Sequence, residues 1–182
     1  FPQGEVSFAD AWVYYAPTSD VLSPHNNPDE ALGIPDYAND SGYVSLGDEG
    51  VLILQFTDNS LTTSWNDSLD LWVFEVGGFI EPTEVAISTN GIDWIDVGAT
   101  SGATSGIDID AYVGAGVLLG ERYSYVKLTD LLPHQSGSPY EGADIDAVGA
   151  ISSASPVPIP GALWLFASGL IGICTISRRE GK

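Results

Sequence analysis

Residues 84–97 read Glu84-Val85-Ala86-Ile87-Ser88-Thr89-Asn90-Gly91-Ile92-Asp93-Trp94-Ile95-Asp96-Val97. Two runs rich in β-branched and aromatic residues flank Asn90-Gly91. That pair is the strongest short hairpin signal, because both residues tolerate the positive φ of a type I′ turn. Strands are therefore predicted over 84–89 and 92–97. Working outward, comparable runs lie at 69–76 (LDLWVFEV), 51–57 (VLILQFT), 43–46 (YVSL) and 5–15 (EVSFADAWVYY) on one side. On the other side are 107–113 (IDIDAYV), 122–129 (RYSYVKLT) and 144–151 (DIDAVGAI). No long stretch before the C-terminal tail has helical periodicity. Short strands at this spacing, punctuated by 21 Gly and 11 Pro, predict an all-β chain. The expected fold is a jelly-roll-like β-sandwich of about eight or nine strands. The small hydroxyl-rich stretch 98–106 (GATSGATSG) reads as a flexible loop suited to carrying O-glycans.

The 182 residues fit one domain with a substantial core. Acids dominate: 25 Asp and Glu face 5 Lys and Arg, for a net charge of −20. Arg178, Arg179 and Lys182 close the chain, so Arg122 and Lys127 are the only basic residues of the first 155. Such a surface repels phosphate backbones, which excludes a nucleic-acid partner. It attracts cations, Ca2+ above all. The abundance of aromatic, Val and Ile residues argues against acidic disorder. The one cysteine, Cys174, lies in the tail, so no disulfide staples residues 1–155. Methionine is absent even at position 1, and the chain is expected to have lost an N-terminal secretory segment.

The β domain is assigned to 1–152, a Ser/Pro linker to 153–160, and a hydrophobic helix with a basic end to 161–182. Gly161–Ser177 carries no charge; as a helix it would reach about 25 Å at ~1.5 Å per residue, near the lower limit for crossing a bilayer. Prolines ahead of the first turn and arginines after the last fit a helix start and the positive-inside rule, which leaves 1–155 outside the cytoplasm. A buried core helix is the plainer alternative. An apolar helix retained in water needs a burial partner, which makes a homopolymer assembled through this helix or through strand edges an expected state.

Val157-Pro158-Ile159-Pro160, then Trp164-Leu165-Phe166, Ser168-Gly169-Leu170 and Arg178-Arg179 resemble a PEP-CTERM sorting signal, with Ile159 where the namesake pattern has Glu. The resemblance covers the tail alone. It implies export by a Gram-negative, exopolysaccharide-making bacterium and recognition by an exosortase-type processing enzyme. Val157, Pro158, Pro160, Arg178 and Arg179 would form the sorting motif. The remainder carries a second likeness, in Ala31-Leu32-Gly33, Val44-Ser45-Leu46-Gly47, Asp70-Leu71-Trp72-Val73-Phe74-Glu75 and Gly142-Ala143-Asp144-Ile145-Asp146. It is similar to discoidin-like, galactose-binding-like surface domains. Those domains often hold a structural Ca2+ and bind glycans through loops at one end.

Oxygen-rich clusters are the main candidates for chemistry. Asp36, Asn39 and Asp40 crowd one loop beside Gly42. Asp144 with Asp146, and Asp108 with Asp110, stand two apart, which on a strand places each pair on one face. Oxygen-only sets suit Ca2+, and Asp36, Asn39, Asp40, Asp144 and Asp146 are the expected ligands; a solvated acidic face is the plainer reading. Asp70 and Glu75 lie five apart, on opposite strand faces, so they do not pair as a glycosidase would need. Asp70 is expected to accept turn hydrogen bonds and Glu75 to end its strand. His25 and His134 read as loop surface residues; with no nucleophile motif nearby, no catalytic residue is assigned. Trp72 and Trp94 read as core, whereas Trp65, in a polar loop, is the expected glycan contact. The function expected is a non-enzymatic surface or matrix protein, structural or adhesive and Ca2+-stabilised. The alternative is a Ca2+-dependent module binding polysaccharide.

Overall fold

The computed structural model describes residues 1–17, 21–77, 81–100, 102–131 and 142–154. Nine strands fall within them: β1 (Ala11–Ala16), β2 (Val44–Ser45), β3 (Val51–Gln55), β4 (Leu71–Val76), β5 (Thr83–Ser88), β6 (Ile95–Thr100), β7 (Thr104–Ile107), β8 (Tyr125–Asp130) and β9 (Asp144–Ala150). Three short 3-10 turns, Gly4–Ser7, Pro28–Ala31 and Ile109–Tyr112, are the only helical elements among the described residues. The expected C-terminal helix and the sorting-motif residues Val157, Pro158, Pro160, Arg178 and Arg179 lie outside the described residues, as does His134. No described helix is long and apolar enough to cross a membrane.

The strands form two antiparallel sheets, ordered β1-β3-β8-β5-β6 and β2-β9-β4-β7. Pairing is nested: β2 lies against β9, β3 against β8, β4 against β7 and β5 against β6. The two sheets share one core in a β-sandwich-like architecture. Leu52 and Leu54 of β3, Val85 and Ile87 of β5, and Val126 and Leu128 of β8 belong to the same buried cluster as Leu71 and Val73 of β4 and Ile145 and Val148 of β9. Alternation explains the choice of residues. In β3, β4 and β8 every second side chain is buried, and each buried aliphatic contributes about 1.5–3 kcal/mol. β1 is an edge strand, and Trp12, Val13 and Tyr14 on it are exposed.

Several expectations are corrected. Residues 98–106 are largely strand, divided between β6 and β7. Their composition favours a loop, but β4 offers an open edge. Gly106 opposite Trp72 lets the strands approach closely, since a Cβ there would stand 2.7 Å from Leu69 Cδ1 and 3.0 Å from Trp72 Cε2 and those side chains would have to shift. Residues 109–112 leave the predicted 107–113 strand for a 3-10 turn capped by the Asp108 side chain, which accepts from the Asp110 amide at 2.9 Å. The run 5–15 is likewise part 3-10 turn. The 84–97 hairpin forms, with a longer connection than two residues. Gly91 has φ +73° while Asn90 stays out of the left-handed region. Asn90 instead accepts from the amides of Ile92 and Asp93, both at 2.9 Å, so a side-chain turn replaces type I′. Trp72 and Trp94 are half-buried rather than core, and Lys127 Nζ lies 5.1 Å from the Trp94 ring centroid. His25 is buried, stacked on Tyr43 at 4.4 Å between ring centroids.

Candidate functional site

The expected ligand loop is exposed at Asp36, Asn39 and Asp40, and Asn39 and Asp40 both have positive φ. It is tied to the last strand, because the Asp36 amide donates to Asp146 Oδ1 at 3.0 Å. Asp40 accepts from the Tyr43 hydroxyl at 3.2 Å. Asp144 accepts from the Ser45 hydroxyl. The two aspartates of β9 have separate partners because of a bulge: Phe74 lies opposite Ala147 and Glu75 opposite Ile145, leaving Asp146 as the extra residue. Burial raises the Asp146 carboxyl above its usual range, while the amides of Asp36 and Tyr37 lower it.

Beside Asp144, the sequence concealed a buried acid. Glu75 is only 2% exposed and sits within β4, and neither carboxylate oxygen closes a full hydrogen bond among the described residues, although the amides of Glu81 and Asp144 lie near enough to favour its charged form. Burial first, and then the Asp144 charge, push it up to about 8. Asp144 itself is pushed up to about 7, by burial and by Glu81, Asp40 and Asp130, against the Ser45 hydrogen bond. Tyr15, whose hydroxyl donates to the Ser45 carbonyl at 2.6 Å, is pushed up to about 12 by burial and the Asp144 charge.

A different trio brings three carboxylates together. One oxygen each from Asp70, Asp108 and Asp110 lies within 4.8 Å of the other two, the only such acidic group among the described residues. Asp36, Asn39, Asp40, Asp144 and Asp146 make no such group. Asp70 precedes β4 and is fully buried; its Oδ2 accepts from the Ile109 amide at 3.0 Å, while its Oδ1 closes no hydrogen bond among the described residues. Burial raises the Asp70 carboxyl; Ser152, the Ile109 amide and Ser64 pull it back, and Asp110 adds to the rise. Three close carboxylates, one with an unsatisfied oxygen, could hold a hard oxygen-seeking cation of the Ca2+ type. The spacing Asp108-Ile109-Asp110 was the visible signal; Asp70, about forty positions earlier, was not readable as its neighbour.

Trp65 stands on this trio. Its amide donates to both Asp110 oxygens, at 3.2 and 3.3 Å, and the Ser64 amide donates to Asp110 at 2.8 Å. The residue holds φ +67°, an unusual conformation for a tryptophan, and its side chain is 67% exposed against 43% for Trp12. A Cβ on Gly120 would lie 3.4 Å from the edge of the indole, and Leu118 and Leu119 next to that glycine are exposed. Asp110 thus fixes the loop, and the loop presents an aromatic face. A scan against protein-family models and a search of curated proteins found no match to the chain.

Proposed function

We propose that the chain is an exported, non-catalytic adhesive protein of a bacterial surface or matrix, a jelly roll that contacts glycan through Trp65 and is stiffened there by Ca2+. The observation carrying this reading is the exposed Trp65 ring on left-handed backbone, pinned through its amide to Asp110 in the carboxylate trio. An aromatic ring held in place before binding stacks on the apolar face of a sugar with little loss of freedom. The nested strand pairs support the jelly roll, since such a fold is one long antiparallel hairpin rolled into two sheets. The tail's resemblance to a sorting signal supports export and handling by an exosortase.

Two measurements test the reading. Trp65→Ala should weaken retention on immobilised bacterial exopolysaccharide by about tenfold, the loss of one stacking contact of ~1.5 kcal/mol. Equal retention of both proteins would remove Trp65 from the contact. Saturating Ca2+ should raise the thermal midpoint by about 5–10 °C, as expected for a ligand near a hundredfold above its Kd in a domain of this size. Asp70→Asn should abolish the increment, whereas a transition indifferent to chelator would take the metal out of the mechanism.

A further inference from the structure

We infer that Asn90-Gly91 is a self-modification site, where the folded hairpin drives loss of ammonia from Asn90 and leaves aspartate or isoaspartate. It is the only Asn-Gly pair in the sequence. Asn90 and Asp93 are exposed, so water reaches this tip. The reagents are the chain itself and water. The Gly91 nitrogen is the nucleophile and Asn90 Cγ the electrophile, and a residue without a Cβ hinders that approach least. An unfolded chain has the same two groups but nothing fixed that carries the proton between them. The connection from β5 to β6 supplies that carrier.

The Ser88 hydroxyl bridges the two reacting groups. It accepts from the Gly91 amide at 2.9 Å and donates to Asn90 Oδ1 at 3.1 Å. A hydroxyl both donates and accepts, so these bonds form a path from the attacking nitrogen to the oxygen that gains charge. The hydroxyl is held in place: Ser88 ends β5, is 1% exposed, and accepts from the Asn90 amide at 3.2 Å. Asn90 Oδ1 also accepts from the Ile92 and Asp93 amides, both at 2.9 Å. Two fixed backbone donors polarise the side-chain carbonyl and steady the charge that develops there during attack. Asn90 Nδ2, the departing nitrogen, donates to Asp93 Oδ2 at 2.9 Å. A turn needs only the bonds to Oδ1; the link through Ser88 to both reacting groups goes beyond that.

The step balances without an added reagent. As the Gly91 nitrogen bonds to Asn90 Cγ, its hydrogen passes to Ser88 Oγ and the Ser88 hydroxyl hydrogen passes to Oδ1. The resulting tetrahedral carbon is neutral, and Ser88 is left as it began. Collapse restores the carbonyl and breaks the Cγ–Nδ2 bond, and the Oδ1 hydrogen leaves with the nitrogen as ammonia. Water then opens the cyclic imide at either carbonyl, giving aspartate or isoaspartate. Either product sets a second carboxylate against Asp93 where Nδ2 had donated to it, so the hairpin tip loosens irreversibly.

The test is incubation of the full chain at neutral pH, with the products at Asn90 followed by peptide mass spectrometry and by enzymatic methylation of isoaspartate. Asn66, exposed and followed by Asp67, is the control in the same digest. Asn90 should convert about tenfold faster in the folded protein than in guanidinium chloride at the same pH. Ser88→Ala should lose that advantage when folded and match the wild type when unfolded. A folded Asn90 that outlasts the unfolded one would overturn the inference, as would Ser88→Ala converting at the wild-type folded rate. If Ser88→Ala does not fold, the wild-type comparison still decides.

Discussion

Replacing Glu75 with glutamine is expected to stabilise the protein at neutral and alkaline pH and to leave it nearly unchanged at pH 4. In the unfolded chain this carboxyl takes its ordinary value of 4.5, and in the folded protein burial and the Asp144 charge raise it to about 8. Between those values the folded state keeps a proton that the unfolded state releases. Stability therefore falls as pH rises through the window and stays low above it. At 1.36 kcal/mol per unit, the full loss is on the order of 3–5 kcal/mol. Asp144, raised from 3.8 to about 7, acts in the same direction over a lower window. Glutamine keeps the shape and never ionises, so its urea midpoint should vary much less between pH 5 and 9, the residual slope being that of Asp144. Denaturation in chelator decides the matter. Parallel profiles for the two proteins would show that Glu75 does not titrate in this range. A loss of stability in the variant only when Ca2+ is present would show that Glu75 holds a cation rather than a proton.

The second large effect is expected at Gly50, in the turn that leads into β3. The Gly50 amide donates to the Gly47 carbonyl at 3.0 Å, and the Gly50 carbonyl accepts from Asp130 at 3.0 Å. A Cβ on Gly50 would stand 1.7 Å from the Leu46 carbonyl oxygen and 2.6 Å from its carbon. Both are backbone atoms, and Leu46 is itself fully buried and bonded through its amide to Ala143 at 2.9 Å. Nothing there is a flexible side-chain end that could swing away. Gly50→Ala must open the turn and cost about 3–5 kcal/mol, read as a drop in the urea midpoint. An unshifted midpoint would mean that the turn takes another path.

The parts of the fold legible in the sequence are those where burial follows a period of two. Val51–Gln55, Leu71–Val76 and Tyr125–Asp130 alternate because one face of each meets the core. β7 was not legible, because Thr104-Ser105-Gly106-Ile107 carries one apolar side chain and is a strand through its neighbour's need for a partner. The 3-10 turn at 109–112 was hidden by the same alternation that predicts strands, since Ile-Asp-Ile-Asp has period two whichever backbone it adopts. The position of Trp65 in a polar loop was readable. What holds it was not, because Asp110 lies 45 positions away. Glu75 stayed hidden because a buried polar residue has no local pattern, and only its distant neighbours define it.

The nested pairing sets the order in which the protein is able to fold. Val44 waits for Ile145, so the hairpin that closes the smaller sheet spans roughly a hundred residues and its closure is slow. Until β9 arrives, β2 has no neighbour and β4 lacks one of its two. A chain built this way stays pliable while it is made and becomes compact only once β9 has emerged. That delay suits the proposed export, because a chain that has not made its last pairings stays threadable until it has been carried across.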